Sequence, residues 1–389
     1  MRYDIFVTLW GKKFVDKYLT YSLTSQLAPG NLPALAADAD IYYHIYTDRE
    51  SEPYFHPAIV PLQNLAEVSF HYYDEIDYRD ANKLSDIMEN SDPGTIKHNV
   101  QGVTAQHFLA QMTQHSDAAA ILLDSDFIIS DGTFVRLHEL RLQGKRAVST
   151  LLLRLTDEGA GPLLKSDLHR YLNPRQLVGL ALQHMHPAAR SFFVDAENFT
   201  TYPHQLFWRV DQQVFVAHCL FPHPLMVIPD AGAIKFLSTM DYDYVLRAVS
   251  DDEAIHLCRS SDEMVVCKIS PQSYLADESV EVVSGPRPTI EHMAYFVLNN
   301  SNLRHRIYLQ KSVLFVAGGN ENGWEIAESE SRRFVEAIYK TIELMIANAP
   351  KNDPKSLVHL KSFLGPIQDF MSPQVQSRLH GWLPGKKSS

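Results

Sequence analysis

Ala118-Ala119-Ala120-Ile121-Leu122-Leu123-Asp124-Ser125-Asp126 is an apolar run closed by an acidic triplet. A run of this length and composition reads as a buried strand. Strand alternation turns residues i and i+2 the same way, so both carboxylates are expected to face one ligand. Two such carboxylates hold a hard divalent cation and leave positions open for diphosphate oxygens. A cation there stabilises charge on a departing phosphate group. The bland alternative is that Asp124 caps a turn and Asp126 is simply solvated. The letters alone decide little, because the chain has two further D-x-D triplets, Asp38-Ala39-Asp40 and Asp241-Tyr242-Asp243. Only the middle one follows a fully apolar strand.

Working outward, Ile5-Phe6-Val7-Thr8-Leu9-Trp10 is a second run of β-formers, punctuated by Gly11. A helical period follows: Phe14, Tyr18 and Tyr21 share a face that Val15, Leu19 and Leu23 widen. Strands are predicted at Ile41–Tyr46, with Thr47-Asp48 after it, and at Val68–Tyr73. Residues 77–99 read as loop or short helices broken by Asp92-Pro93-Gly94. Ala105, Phe108, Leu109 and Met112 mark a helix. Phe127-Ile128-Ile129 continues the acidic strand, and Ser130-Asp131-Gly132-Thr133 turns the chain and caps a helix through Val135, His138 and Leu142. Gly144 closes that helix, and a strand begins at Ala147. Alternating strands and helices predict an α/β sandwich with a largely parallel sheet. Ligands of such sheets bind beyond the carboxyl ends of the strands, where Thr8, Trp10, Asp48, Asp124 and Asp126 all fall.

The second half is less regular. Gln205–Arg209 and Val214–His218 read as strands, and Pro222-His223-Pro224 as rigid and extended. After Pro288 the pattern turns helical, clearest at Val335, Ile338, Ile342 and Met345, with a mobile tail from Pro384. The expected division is a donor-binding half at 1–153, an acceptor-side half at 154–285 and a helical C-terminal region at 286–389.

With 389 residues the chain exceeds one compact core. A net charge of −11 argues against a nucleic-acid partner. Three cysteines, Cys219, Cys258 and Cys267, form no C-x-x-C pair and point to neither a disulfide framework nor structural zinc. The chain opens with no secretory pattern and holds no long uncharged apolar stretch, so the expectation is a cytoplasmic protein with at most peripheral membrane contact.

The order of strand with Thr8-Leu9-Trp10, strand with Thr47-Asp48 and strand with Leu122-Leu123-Asp124-Ser125-Asp126 resembles the nucleotide-sugar half of GT-A glycosyltransferases. Ser130-Asp131-Gly132-Thr133 and Gly144-Lys145-Arg146-Ala147-Val148 resemble bacterial members of that broad group. The likeness covers residues 1–153 and then thins to Phe221-Pro222-His223-Pro224-Leu225. It implies a GT-A-like, Rossmann-type fold and a transferase that moves a sugar from a nucleotide donor to a hydroxyl acceptor, a glycan or glycolipid, in polysaccharide biosynthesis. It also implies that Thr8 and Trp10 contact the nucleotide, that Asp48 holds base or ribose, and that Asp124 and Asp126 hold metal and diphosphate. Members often add a late His as a metal ligand, here His223 or His218; the implied cation is manganese or magnesium, and imidazole suits manganese or zinc better than magnesium.

An inverting transfer needs a carboxylate in reach of the acceptor hydroxyl. Asp262, Glu263, Asp241 and Asp243 are the candidates, each otherwise a solvated turn. Trp208, Tyr202 and Phe207 could stack on a sugar, though core packing explains them as well. His184-Met185-His186 has metal-ligand spacing, but it sits in a helical context that splays the two rings. The dinucleotide and P-loop signatures are missing, as is G-x-S-x-G. Two rivals stay open: a nucleotidyltransferase acting on sugar phosphates, with Gly11-Lys12-Lys13 as a faint phosphate loop, and a non-catalytic binding protein of the same fold. The sequence names neither the sugar, the base nor the acceptor, and it leaves inverting and retaining routes equal.

Overall fold

The computed structural model describes residues 1–78, 82–91, 93–166, 171–230, 240–274, 282–284, 288–318 and 323–348. Strands in the first half are β1 (Arg2–Thr8), β2 (Asp40–Thr47), β3 (Glu67–Tyr72), β4 (Ala118–Leu122), β5 (Phe127–Ile129), β6 (Ala147–Thr150) and β7 (Leu152–Thr156). The second half adds β8 (Asn198–Thr200), β9 (Gln205–Arg209), β10 (Val214–Cys219), β11 (His223–Val227), β12 (Ile255–Leu257), β13 (Val266–Ser270), β14 (Val282–Ser284) and β15 (Val313–Val316). Five helices matter below: α1 (Lys12–Lys17), α2 (Pro93–Met112), α3 (Thr133–Leu142), α4 (Ile290–Asn300) and α5 (Trp324–Asn348).

The main sheet has seven strands in the order β12-β6-β11-β4-β1-β2-β3. The pairs β1–β2, β2–β3, β1–β4 and β6–β12 are parallel, and β11 alone runs against its neighbours β4 and β6. The predicted α/β sandwich with a largely parallel sheet is therefore present. Its central strands are buried on both faces: Tyr3, Ile5 and Val7 of β1 join one core, while Phe6 joins the other. This explains why β1 and β4 read as nearly unbroken apolar runs. The chain passes from β1 to β2 and β3 on one side, then crosses back to β4 on the other. The reversal falls between β1 and β4, and open α/β sheets bind ligands beyond the carboxyl ends of the strands at such a point.

β4 and β6 both leave the main sheet at that same edge. After Leu122 the chain turns and re-enters as β5, and after Thr150 it continues as β7. Together with β13 these form a three-stranded sheet in the order β5-β13-β7. Phe127-Ile128-Ile129 is thus a separate strand, not a continuation of β4. β11 carries Pro224 between two partner strands, where a missing N–H would normally break the ladder. A register shift between Pro224 and Met226 accommodates it, as bulges do.

Two expectations change. Residues 93–99 are neither loop nor a short helix; a short helix spans Leu84–Glu89, and Pro93 then opens the 20-residue α2, at a position that needs no intrahelical N–H bond. The cap of α3 is not supplied by Ser130 or Asp131. Gly132 takes the N-cap position at φ 88°, and Asn31 Oδ1 accepts the Phe134 N–H at 3.0 Å from across the fold. In the second half, β15-β10-β9 packs against α4 and α5 through Leu206, Trp208, Val216, Val297, Val335 and Ile338. The segment 154–285 also gives β11 and β12 to the main sheet. No helix among the described residues is long and apolar enough to cross a membrane. Ser238, Thr239 and the tail from Pro384 lie outside the described residues.

Candidate functional site

Beyond the ends of β1 and β2 lies one cluster. Thr8 Oγ1 donates to the Tyr73 hydroxyl at 2.9 Å, and that hydroxyl donates onward to the Tyr46 carbonyl at 3.0 Å. Trp10 stands edge-on to the Tyr73 ring, centroids 5.8 Å apart. Asp48 Oδ1 accepts the Ser51 N–H at 2.7 Å, and Ser51 Oγ accepts the Gly11 N–H at 2.7 Å. Gly11 adopts φ 80° to start α1 there. Burial raises the Tyr73 phenol, and the Asp48 carboxylate adds to this. Thr8, Trp10 and Asp48 therefore meet around Tyr73, a residue the sequence did not single out.

Beyond the end of β4, the acidic triplet is a turn rather than strand. The Phe127 N–H bonds the Asp124 carbonyl at 3.2 Å, so alternation is not what brings the carboxylates together. Asp124 is firmly held: Oδ2 pairs with Lys268 Nζ at 2.6 Å, and Oδ1 accepts from Gln101 Nε2 of α2 at 2.5 Å. Asp126 is anchored by its backbone, whose carbonyl accepts the Ile269 N–H at 3.1 Å. Its carboxylate takes no side-chain hydrogen bond among the described residues. The two acids diverge accordingly. Burial favours the neutral form of both, but the Lys268 ammonium holds the Asp124 carboxyl below its ordinary range. Asp126 is pushed up by burial and by the Asp124 charge, against the pull of Lys268.

His223 opens β11, beside this turn. Its Nε2–H donates to the Leu122 carbonyl at 3.0 Å, and its ring stands edge-on to Phe127 at 4.7 Å. Burial keeps the imidazole neutral. That bond fixes the tautomer and leaves Nδ1 with a lone pair, as in a metal-ligating His whose other ring nitrogen donates to a carbonyl. The donor set thus fits a divalent cation in chemistry. Asp124, Asp126 and His223 do not, however, present three ligand atoms within 4.8 Å of one another; among the described residues only His256, Cys258 and Glu263 do. That second group is occupied by its own contacts: Glu263 Oε2 takes His256 Nε2 at 2.9 Å and Arg136 Nη2 at 3.1 Å.

Around the acidic turn stands a basic rim. Arg154 of β7 donates to Ser270 Oγ at 2.7 Å, and its guanidinium lies 4.6 Å over the Tyr274 ring. Lys97 of α2 approaches the same ring at 5.3 Å. Lys17 pairs with Asp157 at 2.7 Å and donates to the Ile269 carbonyl at 2.9 Å. His98 lies within electrostatic reach of Asp124, Lys268 and Asp241. Asp241 in turn reaches His223, His204 and Tyr202.

The remaining sequence candidates are elsewhere engaged. Asp262 makes a two-pronged pair with Arg175 at 2.8 and 2.7 Å. Glu263 is held at about 2: His256, Arg136 and the Arg259 N–H outweigh its burial. Asp243 pairs with Arg247 at 3.1 Å. His218 is fully buried, with Nδ1 on the Leu309 carbonyl and Nε2 on Ser331 Oγ; no ring nitrogen is left for a metal. His186 likewise spends both nitrogens, on Pro271 and the Ala188 N–H. Phe207 and Trp208 are core residues, whereas Tyr202 is exposed.

No family model matches the chain, and no curated protein sequence matches it. Among solved structures, mouse xyloside xylosyltransferase 1 in its apo form aligns at 13% identity with a TM-score of 0.25, over 42% of this chain and 57% of that one. Galactosyltransferase LgtC, in complex with donor and acceptor sugar analogues, aligns at 12% identity and a TM-score of 0.23, over 39% and 47%. S. aureus TarS aligns at 9% identity and a TM-score of 0.28, over 96% and 50%. The chain thus spans about half the length of each of these proteins.

Proposed function

We propose that this chain is a GT-A-type glycosyltransferase that takes a sugar from a nucleoside-diphosphate donor and passes it to a hydroxyl acceptor. The reading is supported by two different clusters at the same carboxyl edge of the sheet, one beyond β1 to β3 and one beyond β4, where the strand order reverses. The Thr8–Trp10–Tyr73–Asp48 cluster offers an aromatic surface, a hydroxyl and a carboxylate, the chemistry that suits a nucleoside. The Asp124–Asp126–His223 cluster, rimmed by Lys268, Arg154 and Lys97, suits a diphosphate.

Asp124, Asp126 and the free Nδ1 of His223 are the residues that would hold a divalent cation, manganese by preference for a mixed carboxylate and imidazole set. When bound, the cation supplies charge to a leaving nucleoside diphosphate. The chain's own part is orientation and proton handling. Thr8, Trp10 and Asp48 position the nucleoside, and the rim cations position the diphosphate. In an inverting transfer Asp241 accepts the proton of the acceptor hydroxyl as its oxygen bonds the anomeric carbon. The bond from that carbon to the diphosphate breaks, and its electrons leave with the diphosphate. Asp262 and Glu263, already paired with arginines, are poorer bases. Exposed Tyr202, near Asp241, offers a ring for the acceptor sugar. A cytoplasmic site of action and a glycan or glycolipid acceptor are part of this proposal.

The test is to incubate the full chain with nucleotide sugars, Mn²⁺ and hydroxyl acceptors and to identify the small product. Nucleoside diphosphate supports glycosyl transfer. Pyrophosphate would instead establish the nucleotidyltransferase reading, and no stabilisation by any nucleotide would leave a non-catalytic binding protein.

A further inference from the structure

Lys268 was not among the residues the sequence pointed to, and the fold places it at the centre of the site. β13 lies between β5 and β7, and its central residue sends an ammonium to Asp124 at 2.6 Å. The ion pair is mostly buried, with side-chain exposures of 22% for Lys268 and 13% for Asp124. Burial opposes the charged lysine, but Asp124 and Asp126 together more than restore it. The ammonium therefore pairs directly with Asp124 and acts on Asp126 through its charge. Asp126 is its opposite, a carboxylate with no side-chain hydrogen bond among the described residues and one that burial and Asp124 push toward neutrality.

We infer that Lys268 is an exchangeable counter-ion: at rest it occupies Asp124 and weakens metal binding, and it transfers to the donor's diphosphate when donor and metal arrive together. The inference rests on the donor-binding reading above and deepens it. The exchange conserves charge pairing. Asp124 trades an ammonium for a metal ion, while the ammonium trades a carboxylate for phosphate oxygens, so neither ion is left buried and unpaired. Lys268 rather than Arg suits this role, because an ammonium is a compact charge on a flexible stem with three rotatable donors. Its neighbour across the strand pairing, Arg154, is instead fixed on Ser270 and Tyr274 and serves as a static charge. A consequence is thermodynamic coupling: diphosphate and metal should each raise the other's affinity, by equal factors.

The experiment measures Mn²⁺ binding by electron paramagnetic resonance, and binding of the diphosphates of uridine, guanosine, cytidine, adenosine and thymidine by calorimetry. Each is measured alone and with the other ligand present, in wild type, Lys268→Met and Lys268→Gln. In wild type, Mn²⁺ alone should bind weakly, and the matching diphosphate should tighten it roughly tenfold or more. In both variants Mn²⁺ alone should bind about tenfold tighter than in wild type, diphosphate at least tenfold weaker, and the mutual enhancement should vanish. Removing the ammonium leaves Asp124 buried without its counter-ion, so both variants should also melt lower than wild type and recover on Mn²⁺ addition. Diphosphate binding in wild type with Mn²⁺ affinity unchanged in the variants would overturn the inference alone. No diphosphate binding to wild type with Mn²⁺ present would overturn the donor reading and this inference with it.

Discussion

His218 gives the sharpest test of the second half of the fold. The residue is fully buried between β10 and α5. Its Nδ1–H donates to the Leu309 carbonyl at 2.8 Å, and Nε2 lies 2.9 Å from Ser331 Oγ, whose single proton is shared with the Glu328 carbonyl. This is a neutral imidazole with both nitrogens used, and burial lowers its pKa from 6.5 to about 4. The unfolded chain takes up the proton first as pH falls. The neutral ring's contribution is therefore complete above pH 6.5 and is lost progressively from there down to about pH 4. Linkage across that window costs about 3 kcal/mol in full, of which about 2 kcal/mol is already gone at pH 5. Urea unfolding at pH 7.5 and 5.0 measures it. Trp208 stands edge-on to the His218 ring at 5.6 Å and reports the site by fluorescence. His218→Gln retains a donor and an acceptor but cannot titrate, so it should lose about 2 kcal/mol less than wild type between the two pH values. Any constant offset from the substitution cancels in that difference. Equal losses in the two proteins would refute the assignment of a buried neutral ring. The same variant should leave Mn²⁺ affinity unchanged, since neither ring nitrogen is available to a metal.

Three further outcomes follow from the site. Asp126→Ala should abolish metal-dependent nucleotide binding while the melting temperature stays level or rises, because the carboxylate supports no side-chain hydrogen bond among the described residues; calorimetry and thermal melts read both. Tyr73→Phe leaves the Thr8 hydroxyl and the Tyr46 carbonyl without their shared partner, a loss of about 1–3 kcal/mol. It should weaken nucleoside-diphosphate binding yet leave inorganic diphosphate binding intact, which separates the two clusters. Asp241→Asn should cut turnover roughly 10²–10⁴-fold with donor affinity preserved; a variant that turns over normally would remove Asp241 as the base.

Much of the main sheet could be read from the sequence because burial on both faces leaves a coarse mark. β4 is apolar through its length, and β1 and β2 are mostly apolar apart from Arg2, Asp4, Asp40, His44 and their terminal threonines. The second half lacks that mark. β11 holds Pro224, which argues against a central strand until the register shift beside it is seen. β12 and β14 are three residues each, too short for a period to emerge. β15 lies within the stretch that was read as helical, and only its pairing with β10 defines it. Capping shows the same limit. Ser130 and Asp131 stand in the right local place to cap α3, but the bond comes from Asn31, a residue no local window contains.

The acidic triplet illustrates why its placement could be read and its chemistry only half so. Sequence identified Asp124 and Asp126 through the strand before them. The alternation used to align their carboxylates does not apply, because the chain has already turned at Ser125. What sets the two acids apart comes from elsewhere in the chain. Gln101 arrives on α2 and Lys268 on β13, and both fasten Asp124 while leaving Asp126 without a side-chain hydrogen bond among the described residues. Two carboxylates with identical local context thus acquire opposite tendencies, one held ionised and one pushed toward neutrality. A structural ion pair would satisfy both partners and stop there. A half-buried carboxylate without a side-chain hydrogen bond among the described residues, beside an imidazole whose tautomer is fixed and a lysine paired with its neighbour, is an arrangement that folding alone does not explain. A cationic or phosphate-bearing ligand would satisfy it, and that makes Asp126, rather than the better-bonded Asp124, the more telling residue of the triplet.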